Sequence, residues 1–171
     1  MVAMGKLVKI ILLSIPLYIL YLVFAGVVTL TDIVLGYIAA LITAAITSEL
    51  LIKEKEKLTQ LRRLAYLIKY FLLYITIIEY KAHSDVIKRI FHPKMPINPG
   101  IVRIPYHVKS DYAIVTIANS ITNTPGTVTV DIDKEEKKLF VHWIDVKGVE
   151  EEFCYKTISK KFEKYAKKIF D

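Results

Sequence analysis

The sequence predicts an α+β membrane protein in three parts. These are an N-terminal transmembrane helical hairpin, a membrane-associated amphipathic helix, and a small C-terminal α/β domain of order β-α-β-β-α. Three observations predict it. Of the 171 residues, 54% are hydrophobic and 24% charged, and the mean hydropathy is +0.40; so high an average in so charged a chain requires that the two kinds of residue be segregated along it. Residues 10–31 carry no charged side chain. Beyond residue 91 the pattern changes to short, alternating, turn-rich segments. This apolar content excludes disorder as the main state, and a single cysteine, Cys154, excludes an intrachain disulfide scaffold.

The uncharged run of 22 residues makes about 33 Å of helix, enough to cross a hydrocarbon core of about 30 Å. Asp32 interrupts it, and residues 33–52 then carry one charge, Glu49. Helices over about 7–25 and 32–53 are expected. Gly26, Thr29, Thr31 and Asp32 supply the turn and cap the second helix. Pro16 is expected to kink the first helix, which membrane helices tolerate. A cleaved signal peptide is the rival reading, but the run exceeds a signal core and a second follows at once. Glu49 is placed to snorkel to the interface or pair with Lys53.

Charge sets the orientation. Residues 1–95 hold 12 Lys+Arg against 6 Asp+Glu, and residues 96–171 hold 12 against 11, so the excess is +6 in the first part and +1 in the second. Lys6, Lys9 and the connector KEKEKLTQLRR, with Lys53, Lys55, Lys57, Arg62 and Arg63, place both ends of the hairpin on the cytoplasmic side. The basic residues punctuate apolar runs instead of clustering on a polar face, so a nucleic-acid partner is not expected.

A third helix is expected over 61–90. Arg62, Lys69, Thr76 and His83 recur every seven residues and drift only about 20° per step, so they form a narrow polar stripe that also takes in Tyr66 and Tyr80. The rest of the helix surface is broadly apolar. If it crossed the bilayer, Lys81, Lys88, Arg89, Lys94 and Arg103 would lie outside, against the positive-inside bias. A non-crossing, membrane-associated helix is therefore expected, which makes residues 1–91 a membrane region and 92–171 a cytoplasmic α/β domain.

In that domain His92-Pro93, Met95-Pro96 and Asn98-Pro99-Gly100 form an extended linker. Residues 101–108 read as a strand with Pro105 at an edge or bulge. Ser110 or Asp111 caps a helix to about residue 122, and Thr124-Pro125-Gly126 turns the chain. Residues 127–133 alternate as a half-buried strand, and 139–146 return as its hairpin partner. Residues 150–170 close the domain as an amphipathic helix, acidic early and basic late, as the helix dipole prefers.

No enzyme site is expected, and neither a metal nor a cofactor. His83, His92, His107 and His142 have no ligand-type neighbour at a metal spacing. His107 and His142 read as hydrogen-bonded residues on strands, and Cys154 as a buried structural thiol. The membrane-region ionisable residues are Asp32, Glu49, Lys69 and Glu79. Lys69 and Glu79 raise the question of proton passage, which one Lys and one Glu do not establish.

The segment 118–127, ANSITNTPGT, packs hydroxyl and amide side chains at a helix end, where orphan backbone groups need partners. With the continuation TVTVDID, the flanking HPKMPINPGIVRIP and the later KKLFVHWIDV, it resembles the E-type subunit of the Mrp-type multisubunit sodium/proton antiporters. The resemblance rests on Pro99, Gly100, Asn119, Ser120, Thr122, Thr124, Pro125, Gly126 and Thr127. Two departures stand out: Asn123 where the family usually has Leu, and Ala82-His83 where it usually has Ala-Asn. The resemblance implies an accessory component of the cytoplasmic membrane. Its partners would be other small membrane subunits, large complex-I-like antiporter subunits and the lipid bilayer. It also extends to archaeal membrane-bound hydrogenases and sulfur-reducing complexes, and the Lys-, Glu-, Ile- and Tyr-rich composition favours a hyperthermophile. The alternative reading is a membrane-tethered adaptor that binds anionic lipid or partner proteins through the basic connector.

Overall fold

The computed structural model describes residues 2–26, 29–52, 57 and 60–171. The chain packs as two units, residues 1–59 and 60–171.

The first unit is a pair of helices, α1 (Val2–Ala25) and α2 (Leu30–Leu51), both long and apolar enough to cross a membrane. Gly26, at φ +72°, ends α1 in the left-handed conformation that only glycine adopts cheaply. Of the residues expected to turn the chain and cap α2, Thr29 is the N-cap and Asp32 its third helical position. Its Oγ1 accepts from the Asp32 amide at 3.2 Å, and Asp32 Oδ2 accepts from the Thr29 amide at 3.0 Å, closing a capping box.

The helices meet along Gly36, Ala40, Ala44 and Ser48, all buried and spaced by four. Small residues at this spacing let two helices approach closely. A Cβ on Gly36 would come within 2.3 Å of the Tyr21 ring. At the far end Lys9 Nζ binds Glu49 Oε2 at 3.1 Å. Glu49 thus has a partner on the other helix; its expected pairing with Lys53 falls outside the described residues, as do the connector residues 54–56, 58 and 59 and residues 27 and 28 of the turn.

The second unit begins with α3, continuous over residues 61–90. It is α-helical at Leu61–Leu73, makes one π-helical turn at Tyr74–Ile78, and is α-helical again at Glu79–Ile90. Then follow β1 (Gly100–Pro105), α4 (Asp111–Asn123), β2 (Thr127–Asp133) and β3 (Lys138–Trp143). The last helix, α5, covers residues 151–170 with a π-helical turn at Tyr155–Ser159. The three strands form one antiparallel sheet of order β1-β3-β2. Val102, Ile104, Leu139, Val141 and Trp143 are buried on one face of it, with Ile114, Ile117 and Ile121 of α4 and Phe162, Ala166 and Ile169 of α5.

Two strands are shorter than the alternation predicts. β1 ends at Pro105: the Tyr106 amide still donates to Lys137 O at 3.0 Å, and from His107 on the chain gives amides to side chains. His107 N donates to Glu163 Oε2 at 3.0 Å, and Lys109 N and Ser110 N donate to the Asp171 carboxylate at 2.9 and 3.0 Å. His107 therefore lies in a loop, not on a strand. β3 ends at Trp143, after which Asn98 takes over the pairing: its amide donates to Ile144 O and its carbonyl accepts from Val146 N.

The larger difference concerns α3. Packing joins it to the α/β elements, whereas the expected division at residues 91 and 92 follows membrane placement. Its inward residues are Tyr70, buried, and Tyr66, Tyr74 and Ile78, half-buried in the same core. These lie four apart, while Arg62, Lys69, Thr76 and His83 of the seven-residue stripe are all exposed. In an α-helix four residues overshoot a turn by about 40°. The π-turn inserts about one residue's rotation and returns the later residues to the inward face. Tyr66, ahead of the π-turn, lies beside Lys168 of α5, while Lys69 and Tyr80 are exposed.

Candidate functional site: the hydroxyl-rich turn between α4 and β2

Ser110 caps the start of α4, accepting from Ala113 N at 3.2 Å. The far end of α4 carries the signature segment, and its hydroxyls are spent on backbone. Ser120 Oγ donates to Thr116 O at 2.7 Å, Thr124 Oγ1 to Ser120 O at 2.7 Å, and Thr127 Oγ1 to Ile121 O at 2.7 Å. Thr129 Oγ1 donates to Ala118 O at 3.1 Å, while Thr122 Oγ1 accepts from Thr129 N at 3.1 Å and ties α4 to β2. Carbonyls left open at the helix end are thereby satisfied.

Thr124–Thr127 is a type II turn: Thr127 N donates to Thr124 O at 3.3 Å, Pro125 is the second residue and Gly126, at φ +96°, the third. Gly126 O accepts from Ile144 N at 2.9 Å, which starts the β2–β3 pairing. A Cβ on Gly126 would lie 3.1 Å from Ile144 Cγ2 and 3.7 Å from Val86 Cγ2 of α3.

The segment is also where α3 is fastened. Because Ser120 Oγ already donates to Thr116 O, Tyr70 OH donates to Ser120 Oγ, inside the core. Tyr74 OH donates to Ser120 O at 3.3 Å, and burial, helped by the Glu79 carboxylate, pushes its pKa up to about 12. Tyr70 stacks on Tyr165 of α5 with centroids 5.4 Å apart, and Tyr74 meets Phe162 at 6.2 Å. Sequence reasoning does not single out this tyrosine ladder, although Tyr66, Tyr70 and Tyr74 recur every fourth residue.

Asn119 is exposed. It lines two open grooves, of about 350 and 260 Å³, on either side of α4. Gly100 opens β1 opposite Trp143, with Val146 Cγ2 3.1 Å from where its Cβ would be; Pro99 precedes it, exposed. The structure thus gathers Ser120, Thr122, Thr124, Pro125, Gly126 and Thr127 into one turn, and leaves Pro99 and Gly100 at the start of β1.

The membrane-region ionisable residues are scattered. Asp32 closes its capping box, Glu49 meets Lys9, and Lys69 stands exposed on α3. Glu79 Oε2 faces His83 Nδ1 at 3.3 Å, and its Oε1 is buried without a hydrogen-bond partner.

A second cluster has no counterpart in the sequence reading. Glu163, only 4% exposed, accepts from Tyr155 OH at 3.1 Å, from the His107 amide at 3.0 Å, and pairs with His107 Nδ1 at 3.1 Å. Burial, with the Glu163 charge adding to it, pushes the Tyr155 pKa up to about 12. In the sequence Glu163 sits among lysines and reads as solvated, so no signal marks it. Cys154 is fully buried, its Sγ donates to Gly148 O at 3.3 Å, and burial pushes its pKa up. Among the described residues no three His, Cys, Asp or Glu side chains group closely enough to hold a metal ion.

Two apolar helices long enough for a bilayer, with a small α/β unit whose signature hydroxyls are bound to its own backbone, are the features of a membrane-anchored protein. Residues 14–169 match the family model for the Na+/H+ ion antiporter subunit, MNHE, and the chain belongs to that family. It is 31% identical over 140 residues to the E-type Na(+)/H(+) antiporter subunit of Alkalihalophilus pseudofirmus, covering 82% of this chain and 85% of that one. It is 32% identical over 141 residues to the E1 form of the Na(+)/H(+) antiporter subunit of Staphylococcus epidermidis, covering 82% and 84%. Among solved structures it is similar to a chain of the membrane-bound sulfane sulfur reductase, an archaeal respiratory membrane complex. There the TM-score is 0.80 at 34% identity, over 95% of this chain and 99% of that one.

Proposed function

We propose that this antiporter-family subunit does no chemistry of its own and serves to assemble a multisubunit cation/proton-translocating membrane complex. The observation that carries the reading is the use of the signature segment. Its hydroxyls bind α4, β2 and α3 to one another and leave no reactive group presented to a substrate. The parent complex is proposed to be of the archaeal respiratory kind, either hydrogenase or sulfur-reducing, with an Mrp-type antiporter module. The match over nearly the full length of both chains supports this choice. An affinity tag on the chain in its own cells, with extraction in mild detergent, is expected to bring down small membrane subunits and a large complex-I-like subunit. Recovery of a lone, stable monomer would contradict it.

The hairpin is proposed to cross the cytoplasmic membrane twice with both ends and the α/β unit inside, as the cations at Lys6, Lys9, Lys57, Arg62 and Arg63 support. Residues 61–90 are proposed to stay at that membrane without crossing it. Thr29→Cys should then react with an impermeant maleimide added outside, and Lys57→Cys only after permeabilisation; the reverse pattern would overturn the topology.

A further inference from the structure

The face of α3 that the α/β elements leave bare is not ordinary surface. Leu61, Leu64, Ile68, Phe71 and Ile75 are all exposed and alternate by three and four residues, so they form one apolar ridge. The opposite face is held by α5, which runs antiparallel beside α3. Arg63 Nη1 donates to Ile169 O at 2.7 Å, Tyr70 stacks on Tyr165, and Tyr74 meets Phe162. Along this stretch α5 exposes Lys160, Lys161, Lys164, Lys167 and Lys168. Lys168 Nζ lies 4.6 Å over the Tyr66 ring, and Arg62 is 5.7 Å from the same ring on α3 itself. Lys161 and Lys168 flank Tyr165 by four and three residues, and so border α3.

A helix held in this way cannot cross a bilayer, because the lysines of α5 would accompany it into hydrocarbon. Its ridge is equally unsuited to water. Both demands are met if α3 lies along the interface, its ridge among acyl chains and the flanking cations level with the headgroups. We infer that α3 and the lysine edge of α5 form a one-sided docking face for anionic phospholipid, taking lipid phosphates at Arg62, Lys69, Lys161 and Lys168. The cations beside the ridge favour an anionic bilayer over an apolar protein helix as its occupant. This rests on the hairpin reading above.

The test uses the assembled complex in nanodiscs of phosphatidylcholine, with or without phosphatidylglycerol. Spin labels are placed singly at positions 64, 68, 71, 75 and 69 in a Cys154→Ala background. Oxygen and nickel-chelate accessibility then give the depth of each. The expected result is a common depth below the phosphates at 64, 68, 71 and 75, with 69 at or above them. Lys161→Gln with Lys168→Gln should make position 68 shallower in phosphatidylglycerol and leave it unchanged in pure phosphatidylcholine. A depth that rises steadily from 64 to 75 would show a crossing helix and overturn the inference. Protection from both probes would show a protein on the ridge and overturn it too, as would the same depth with and without the lysines in both lipids. Co-purification of the other subunits is scored on the same samples, so failure of the docking face is separable from failure of the assembly reading.

Discussion

At the scale of single residues, the turn between α4 and β2 shows why a motif rich in hydroxyls need not be chemical. Gly126→Val puts a β-branched residue at φ +96° with Ile144 Cγ2 3.1 Å away. Strain of this kind costs about 1–3 kcal/mol. The expected outcome is less chain incorporated into the complex, read on native gels; normal assembly with lost transport would instead give the segment a functional role. Ser120→Ala removes the acceptor of a buried tyrosine hydroxyl and should cost about 1–3 kcal/mol, whereas Tyr70→Phe removes donor and demand together and should cost about 1 kcal/mol. Chemical denaturation of the two single variants and the double variant would show the second change adding little to the first. Tyr74 and Tyr155 titrate near 12 in the fold against an ordinary value near 10. Their raised values mean that stability is full below the unfolded pKa and falls as pH rises from about 10 to about 12. Tyr155→Phe should flatten that alkaline slope in thermal melts, and an unchanged slope would rule out the assigned cause. The Pro-Gly turn is legible in the sequence because its chemistry is local. The Glu163 cluster is not, since a carboxylate buried by a loop fifty-six residues away leaves no trace in its own neighbourhood.

At the scale of elements, periodicity tells most of the story and fails where a helix changes its pitch. The hairpin, β2 and α4 follow from hydropathy, alternation and capping residues. On α2 sequence reasoning does not single out Gly36, Ala40, Ala44 and Ser48 as a packing seam, although four-residue spacing of small side chains is a known device of membrane helices. Ala44 is fully buried there, so Ala44→Leu should push the helices apart and lower the thermal stability of the extracted complex. A melt equal to wild type would show that the seam carries no stability. On α3 the π-turn Tyr74–Ile78 keeps Ile78 in line with Tyr66, Tyr70 and Tyr74, an inward row of four-residue spacing that an α-helix throughout would not hold on one face. Strand lengths come out too long for another reason. Alternation continues past Pro105 and Trp143, but the backbone partners there are turn carbonyls at Lys137 and Gly126, side chains, or the Asn98 bridge instead of a strand.

At the scale of the whole molecule, the two units divide the work by solvent: one is apolar outward and packed by small residues, the other has a core of its own and a tyrosine-bound helix along one side. Nothing in the described residues of either unit requires the chain to carry ions itself. Lys69 is exposed on α3 and Glu79 faces His83, so among the described residues of this chain the two do not join a run of titratable partners. The measurement that tests this most directly is ion transport by complexes carrying Lys69→Gln or Glu79→Gln, purified, shown to contain every component, and reconstituted in proteoliposomes. A purely assembling role predicts wild-type transport per assembled complex for both variants. A variant that assembles fully and transports nothing would place its side chain on the ion path and contradict the account.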